Sequence, residues 1–149
     1  MPTYFEDLPV GYQSEVGRYA LTAEEIIDVA RRWDPQTFHV DAAAAATSIF
    51  GGLTASSLHL FAICTRLFFD HADQIAVLAM LGKDEVRFPH PARPGDQLRY
   101  VTECIEARAS RSKPDRGIVT LADRLSNARD EPVLTQRVQL MVARRPDEG

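Results

Sequence analysis

The stretch "TASSLHLFAICTRLFF", residues 54–69, decides the architecture. Leu58, Phe61, Ala62, Thr65, Phe68 and Phe69 recur at helical spacing, while Ile63, Cys64 and Leu67 make the other side apolar too. A helix that is apolar nearly all round belongs inside a protein. It is not a membrane span: His59, Thr65 and Arg66 interrupt it, and no run in the chain approaches the ~18–20 apolar residues a bilayer requires. The helix therefore needs protein surface to wrap it.

The second half of the chain supplies that surface. The segments "AVLAMLG", "DEVRF", "DQLRYVTECIEA", "RGIVTLADRLSN" and "EPVLTQRVQLMVARR" are rich in β-branched and apolar residues. Turn chemistry separates them at "HPARPGD", "SRSKPDRG" and "NARDE". In the last segment Leu134, Val138, Leu140 and Val142 share one face, with Gln136 the only polar member. Strands spaced this closely join most simply as an antiparallel sheet. One buried helix and one curled antiparallel sheet make an α+β layer solution, the arrangement called the hot-dog fold. At 149 residues the chain is expected to form one such domain, 1–149, with enough length to bury a real core.

Upstream the pattern is mostly helical. In "TAEEIIDVARRW", residues 22–33, Thr22 and Glu25 stand at capping-box spacing and Ile26, Ile27, Val29, Ala30 and Trp33 form an apolar stripe. Pro35 ends this helix, because the residue before a proline is pushed out of the α region. Asp41 is placed to cap a short helix through "AAAAATS", and "FGG" at 50–52 breaks the chain into a turn.

Charge and composition exclude several classes. A net charge of -4 argues against a nucleic-acid footprint of clustered lysine and arginine. The start, "MPTYFEDLPVG", lacks the basic and apolar regions of a signal peptide, so a cytoplasmic protein without membrane attachment is expected. Cys64 and Cys104 lie 40 apart without CxxC spacing and read as core residues of a reduced protein.

Between the two helices stands "DPQTFHVD", residues 34–41. A Pro turn carrying an acid and an imidazole is either a capping device or a catalytic pair. On residue types alone, Asp34 fits an ordinary turn aspartate and His39 a partly buried imidazole. A metal site built on Asp34, His39 and Asp41 is disfavoured, since zinc sites take three or four ligands and no second histidine is near.

Taken together, "DPQTFHVD", "FGGLTAS" at 50–56, "FPHPARPGDQLRYV" at 88–101, "SRSKPDRGIV" at 110–119 and "NARDEPVL" at 127–134 resemble the MaoC-like dehydratase family, which includes the (R)-specific enoyl-CoA hydratases. The resemblance runs from Asp34 to Leu134 with the motifs in family order. It implies a hot-dog fold, a homodimer or dimer of dimers, and reversible addition of water to a trans-2-enoyl thioester. It puts the catalytic acid and imidazole on Asp34 and His39. The oxyanion donor, a backbone N–H at the start of the central helix, falls near Ser57, with Ser56 and Gly52 on the same substrate-binding side. Two positions depart from the family: Thr37 stands where proline is frequent, and Ser57 where glycine is frequent.

The chemistry accounts for these residue types. Hydration needs a water activated at C3, a proton delivered to C2, and stabilisation of the charge that grows on the thioester oxygen. Ordinary His and Asp pKa values, about 6.5 and 3.9, leave the two groups in different protonation states near neutrality. A water between them can lose a proton to one and be oriented by the other. The first N–H groups of a helix, with its dipole, suit the oxyanion. No metal or redox cofactor is called for; coenzyme A enters only as part of the substrate.

Other residues carry weaker signals. Arg111 and Lys113, in the basic turn with Arg116, are candidates for coenzyme A phosphates, against the plainer reading of a solvated loop. His59 reads as a hydrogen-bonded core histidine, and His71 and His90 as surface residues. Ser56 and Ser57 lack the glycine-flanked elbow of a serine hydrolase and read as helix-start hydroxyls. Two alternatives stand beside the hydratase. A hot-dog acyl-CoA thioesterase would want a carboxylate on the central helix, which has none before Asp70. A non-catalytic acyl-CoA-binding module would not need the acid–imidazole pair.

Overall fold

The structure is a computed structural model that describes residues 1–147. After a single 3-10 turn at Phe5–Asp7 come strand β1 (Gln13–Ala20) and helix α1 (Ala23–Trp33). Two short helices follow, α2 (Thr37–Val40) and α3 (Ala42–Ala46), and then α4 (Ser57–Asp70). Four strands complete the chain: β2 (Val77–Arg87), β3 (Gln97–Ala109), β4 (Arg116–Ser126) and β5 (Pro132–Ala143). They form one antiparallel sheet in the order β1-β3-β4-β5-β2.

The sheet curls over α4, as the apolar helix requires. Leu60, Ile63, Cys64 and Leu67 pack with Leu98, Tyr100, Leu125 and Leu134 in one buried cluster. A second cluster, with Cys104, Val119, Leu121, Val138 and Leu140, lies farther along the sheet over Leu8. A polar row divides them. Thr102, Asp123 and Gln136 stand side by side on β3, β4 and β5, all buried, and Thr102 Oγ1 (2.8 Å) and Gln136 Nε2 (2.9 Å) donate to the Asp123 carboxylate. The odd polar residue of the last strand is thus the partner of a buried acid.

The central helix begins at Ser57, where Ser56 caps it. Three expectations are corrected. The face of α4 turned to the sheet is that of Ile63, Cys64 and Leu67; Leu58 and Phe69, on the first-named stripe, are 47% and 65% exposed. A single sheet meets only half of a helix's circumference. "AVLAMLG" and "DEVRF" are one strand, β2, whose pairing with β5 slips at Met80/Gly82 and Asp84/Arg87. The N-terminal half is not purely helical: β1 lies at an edge, bulged at Glu15/Gly17, where Gly17 lets Leu67 of α4 come within 3.1 Å of where a Cβ would be.

Candidate active site

Asp34 and His39 converge at the start of α4. Pro35 stops α1 at Trp33, and Asp34 becomes its C-cap, donating its N–H to Ala30 O at 2.8 Å. The chain then makes one turn of helix, α2, which carries His39; the imidazole therefore lies on a short helix and not on a fully irregular connector. Asp41 ends α2 and caps α3, its Oδ1 accepting from Ala43 and Ala44. His39 Nε2 lies 3.3 Å from Asp34 Oδ2.

Each group is fixed by a neighbour. His39 is 6% exposed, and its Nδ1 sits 2.5 Å from the Thr54 carbonyl oxygen. A carbonyl only accepts, so Nδ1 carries the proton and Nε2 is the nitrogen turned to Asp34. Thr54 is itself held, donating its N–H to Phe38 O at 3.2 Å. Asp34 Oδ2 accepts from Ser56 Oγ at 2.7 Å and Oδ1 from Gln36 Nε2 at 2.9 Å. The Ser56 hydroxyl foremost, then the Gln36 amide and the nearby imidazole, hold the Asp34 carboxyl below its ordinary value despite partial burial.

Ser56 has two tasks. The Oγ that donates to Asp34 also accepts the Leu58 N–H at 3.2 Å, so one hydroxyl ties the acid to the tip of α4. Of the first helical N–H groups, Leu58's goes to this cap and those of His59 and Leu60 to Ser56 O. The Ser57 N–H has no acceptor among the described residues. It sits at the positive end of the helix dipole.

These groups open onto a cleft of about 210 Å³ lined by Asp34, His39 and Ser57 and walled by Phe38, Phe50, Leu60, Phe88 and Val133. A larger hollow of about 620 Å³ crosses β1, β3, β4 and β5, where Glu15 and Arg99 pair at 3.3 Å and the charges offset one another. Among the described residues no group of three or more His, Cys, Asp or Glu gathers as a metal site. No helix there is long and apolar enough to cross a membrane.

Not every expected residue joins the site. Gly52 is outside the cleft wall; its carbonyl accepts from Arg93 Nη1 at 3.0 Å, an anchor that also holds the Phe50 carbonyl. Arg111 and Lys113 fall in the β3–β4 turn, next to the Ala109↔Gly117 pair, whereas Val133 of the cleft lies by Leu125 at the other end of β4. Eight residues of strand, roughly 26 Å, separate the two ends. Within one protomer the basic turn does not reach the cleft. Gln36, the Thr54 carbonyl, Arg93 and His90, which lines the cleft, were missed. Only Gln36, two residues from the acid, left a sequence signal. His59 is the expected core histidine, with Nε2 2.9 Å from Glu25 Oε1; Glu25 therefore does not close the capping box that Thr22 opens.

Comparison with known proteins agrees with the fold and motifs. The family model described as "MaoC like domain" matches residues 12–123, and the chain belongs to that family. Protein MaoC of Klebsiella aerogenes is 33% identical over 102 residues, covering 68% of this chain and 30% of that one. This chain therefore spans about a third of that relative's length. The crystal structure of a MaoC-like dehydratase from Rhodospirillum rubrum superposes with TM-score 0.89 at 38% identity, covering 96% of this chain and 98% of that one. An (R)-hydratase from Pseudomonas aeruginosa shares the fold, with TM-score 0.77 at 23% identity over 96% of this chain and 87% of its own. The common architecture is the hot-dog fold.

Proposed function

We propose that the protein is a hydro-lyase that adds water to a trans-2-enoyl thioester, or removes it from the 3-hydroxyacyl product. One observation carries the reading: a carboxylate and an imidazole 3.3 Å apart at the tip of a helix whose Ser57 N–H has no acceptor among the described residues, beside an apolar cleft. Asp34, held as a carboxylate, is a poor base and a good acceptor, so it orients the water. His39 Nε2 takes a proton as the water oxygen bonds to C3. The electron pair moves toward the thioester oxygen, which the Ser57 N–H meets; such donors contribute on the order of 3–4 kcal/mol in other enzymes. The imidazolium then returns a proton to C2, and one water has been added. Coenzyme A as the thiol is part of this proposal, as is a cytoplasmic setting.

A homodimer accompanies the reading. Strand β2 is an edge with one unpaired side, and its Leu78, Met80 and Leu81 are each about half exposed; Leu58 and Phe69 of α4 are exposed as well. An apolar open edge invites a second copy. Sedimentation of the purified protein should give a dimer or a multiple of one, and a strict monomer would refute it.

The activity test is direct. Crotonyl-CoA is incubated with the protein while enoyl absorbance and free thiol are followed together. Loss of absorbance without thiol supports hydration. Thiol release identifies a thioesterase, and saturable binding with neither signal identifies a non-catalytic module.

A further inference from the structure

A second pocket, of about 60 Å³, lies between α4 and the sheet, lined by Cys64, Thr65 and Phe68 of the helix, by Asp123 and Gln136 of the polar row, and by Lys83 of β2. Phe61 touches a wall of each. Its ring stacks edge-on with Phe88 of the cleft wall, centroids 5.7 Å apart, and the Lys83 ammonium lies 4.6 Å over its centroid. Phe61 is one turn of α4 beyond Ser57, roughly 6 Å along the axis. Movement of the Phe61 ring would open a way from the cleft to this pocket, where the far end of a medium-length acyl group would then lie with its carbonyl at Ser57.

An acyl tail would ordinarily meet only apolar side chains. Here it meets a half-buried ammonium. Lys83 Nζ donates to Gln136 Oε1 at 3.0 Å, and no carboxylate pairs with it among the described residues. Asp123 lies behind Gln136, with its two oxygens already bound by Thr102 and Gln136. Burial pushes the Asp123 carboxyl above the usual carboxylate range and the Lys83 ammonium below its own, and the attraction between the two only partly offsets this. A partly desolvated cation with spare donors and room beside it for a few atoms is a binding element for an anion.

We infer that Lys83, oriented by Gln136, sets substrate choice by receiving a carboxylate at the far end of the acyl group, so that the preferred substrate is the mono-thioester of an unsaturated dicarboxylic acid. The inference rests on the hydratase reading for the placement of the thioester. Its own content is the Lys83 subsite.

The test compares matched six-carbon thioesters, trans-2-hexenedioyl-CoA and trans-2-hexenoyl-CoA, by kcat/KM on the wild type, Lys83→Met and Lys83→Arg. A hydrogen bond to a charged group implies a preference for the diacid of roughly 10- to 100-fold. Lys83→Met should abolish it mainly by raising KM of the diacid, with KM of the hexenoyl thioester moving far less; Lys83→Arg should retain it. Thermal melting of both variants shows that they fold. Calorimetric binding of adipyl-CoA and hexanoyl-CoA gives the same comparison without turnover. Lys83-dependent preference for adipyl-CoA without hydration would uphold the subsite and refute the hydratase reading. Hydration of both enoyl thioesters with a ratio that Lys83→Met does not move would overturn the subsite alone. Equal binding of both acyl-CoAs without turnover would overturn both.

Discussion

Replacing Ser56 with alanine should do two separable things. The Oγ of this residue, 1% exposed, donates to Asp34 Oδ2 at 2.7 Å and accepts from the Leu58 N–H at 3.2 Å. Loss of a hydrogen bond to a carboxylate costs about 1.5–3 kcal/mol, and loss of a serine N-cap about 1 kcal/mol. The two losses share one atom and overlap, so urea denaturation at pH 7 should show about 2–3 kcal/mol of destabilisation. The sign of its pH dependence follows from Asp34. Its folded pKa is depressed, so the stability it contributes is fully present above the unfolded value near 3.9 and is lost as pH falls through the folded value. The gap between wild type and Ser56→Ala should therefore narrow in acid toward the capping contribution alone. Carboxyl NMR titration reads the same effect at its source: the Asp34 pKa should rise toward the ordinary value in the variant. An unchanged Asp34 titration with a pH-independent loss of only about 1 kcal/mol would refute the role given to this hydroxyl and leave Ser56 a simple cap.

Three further outcomes are expected. Gly117→Ala should destabilise the fold by about 1–3 kcal/mol in chemical denaturation, since the added Cβ would stand 2.3 Å from the Phe5 ring and force the N-terminal turn off the sheet. Glu25→Ala removes the acceptor shared by the Tyr19 hydroxyl and His59 Nε2 and should cost about 1–3 kcal/mol. Ultraviolet titration should then show Tyr19 ionising below about 12, though still above an ordinary phenol, because burial is the larger cause of its shift. Gln36→Leu, which removes the second donor to Asp34, should raise the Asp34 pKa less than Ser56→Ala does, in keeping with the order of the two causes.

What the sequence revealed and what it hid have the same physical origin. The helix 54–69 and strands β3, β4 and β5 were readable because each buries a face, and burial imposes a period. β1 was not. As an edge strand it buries only Val16 among its residues, and Gly17 interrupts its alternation so that Leu67 of α4 can approach the backbone. The outward face of α4 misled for the opposite reason: it is apolar although Leu58 and Phe69 are exposed, and apolar spacing alone does not say which face meets the sheet.

At the site, the family resemblance pointed to Asp34 and His39, and the proline turn makes their meeting possible, since a straight helix would set residues five apart roughly 140° from one another. The groups that hold them were invisible in the sequence. Ser56 is 22 residues from Asp34, the Thr54 carbonyl is backbone, and Arg93 reaches across 41 residues to Gly52. The basic turn at Arg111 and Lys113 looked like a phosphate site by charge alone; strand register carries it to the far end of the sheet.

The account turns most directly on hydration of crotonyl-CoA by wild type, Asp34→Asn, His39→Ala and the double variant. We expect each single change to lower kcat/KM by ~10²-fold or more, and the double variant to fall little below the worse single one, because the two groups act on one water. A wild type that hydrates while both single variants keep its rate would contradict the assignment of the water to this pair.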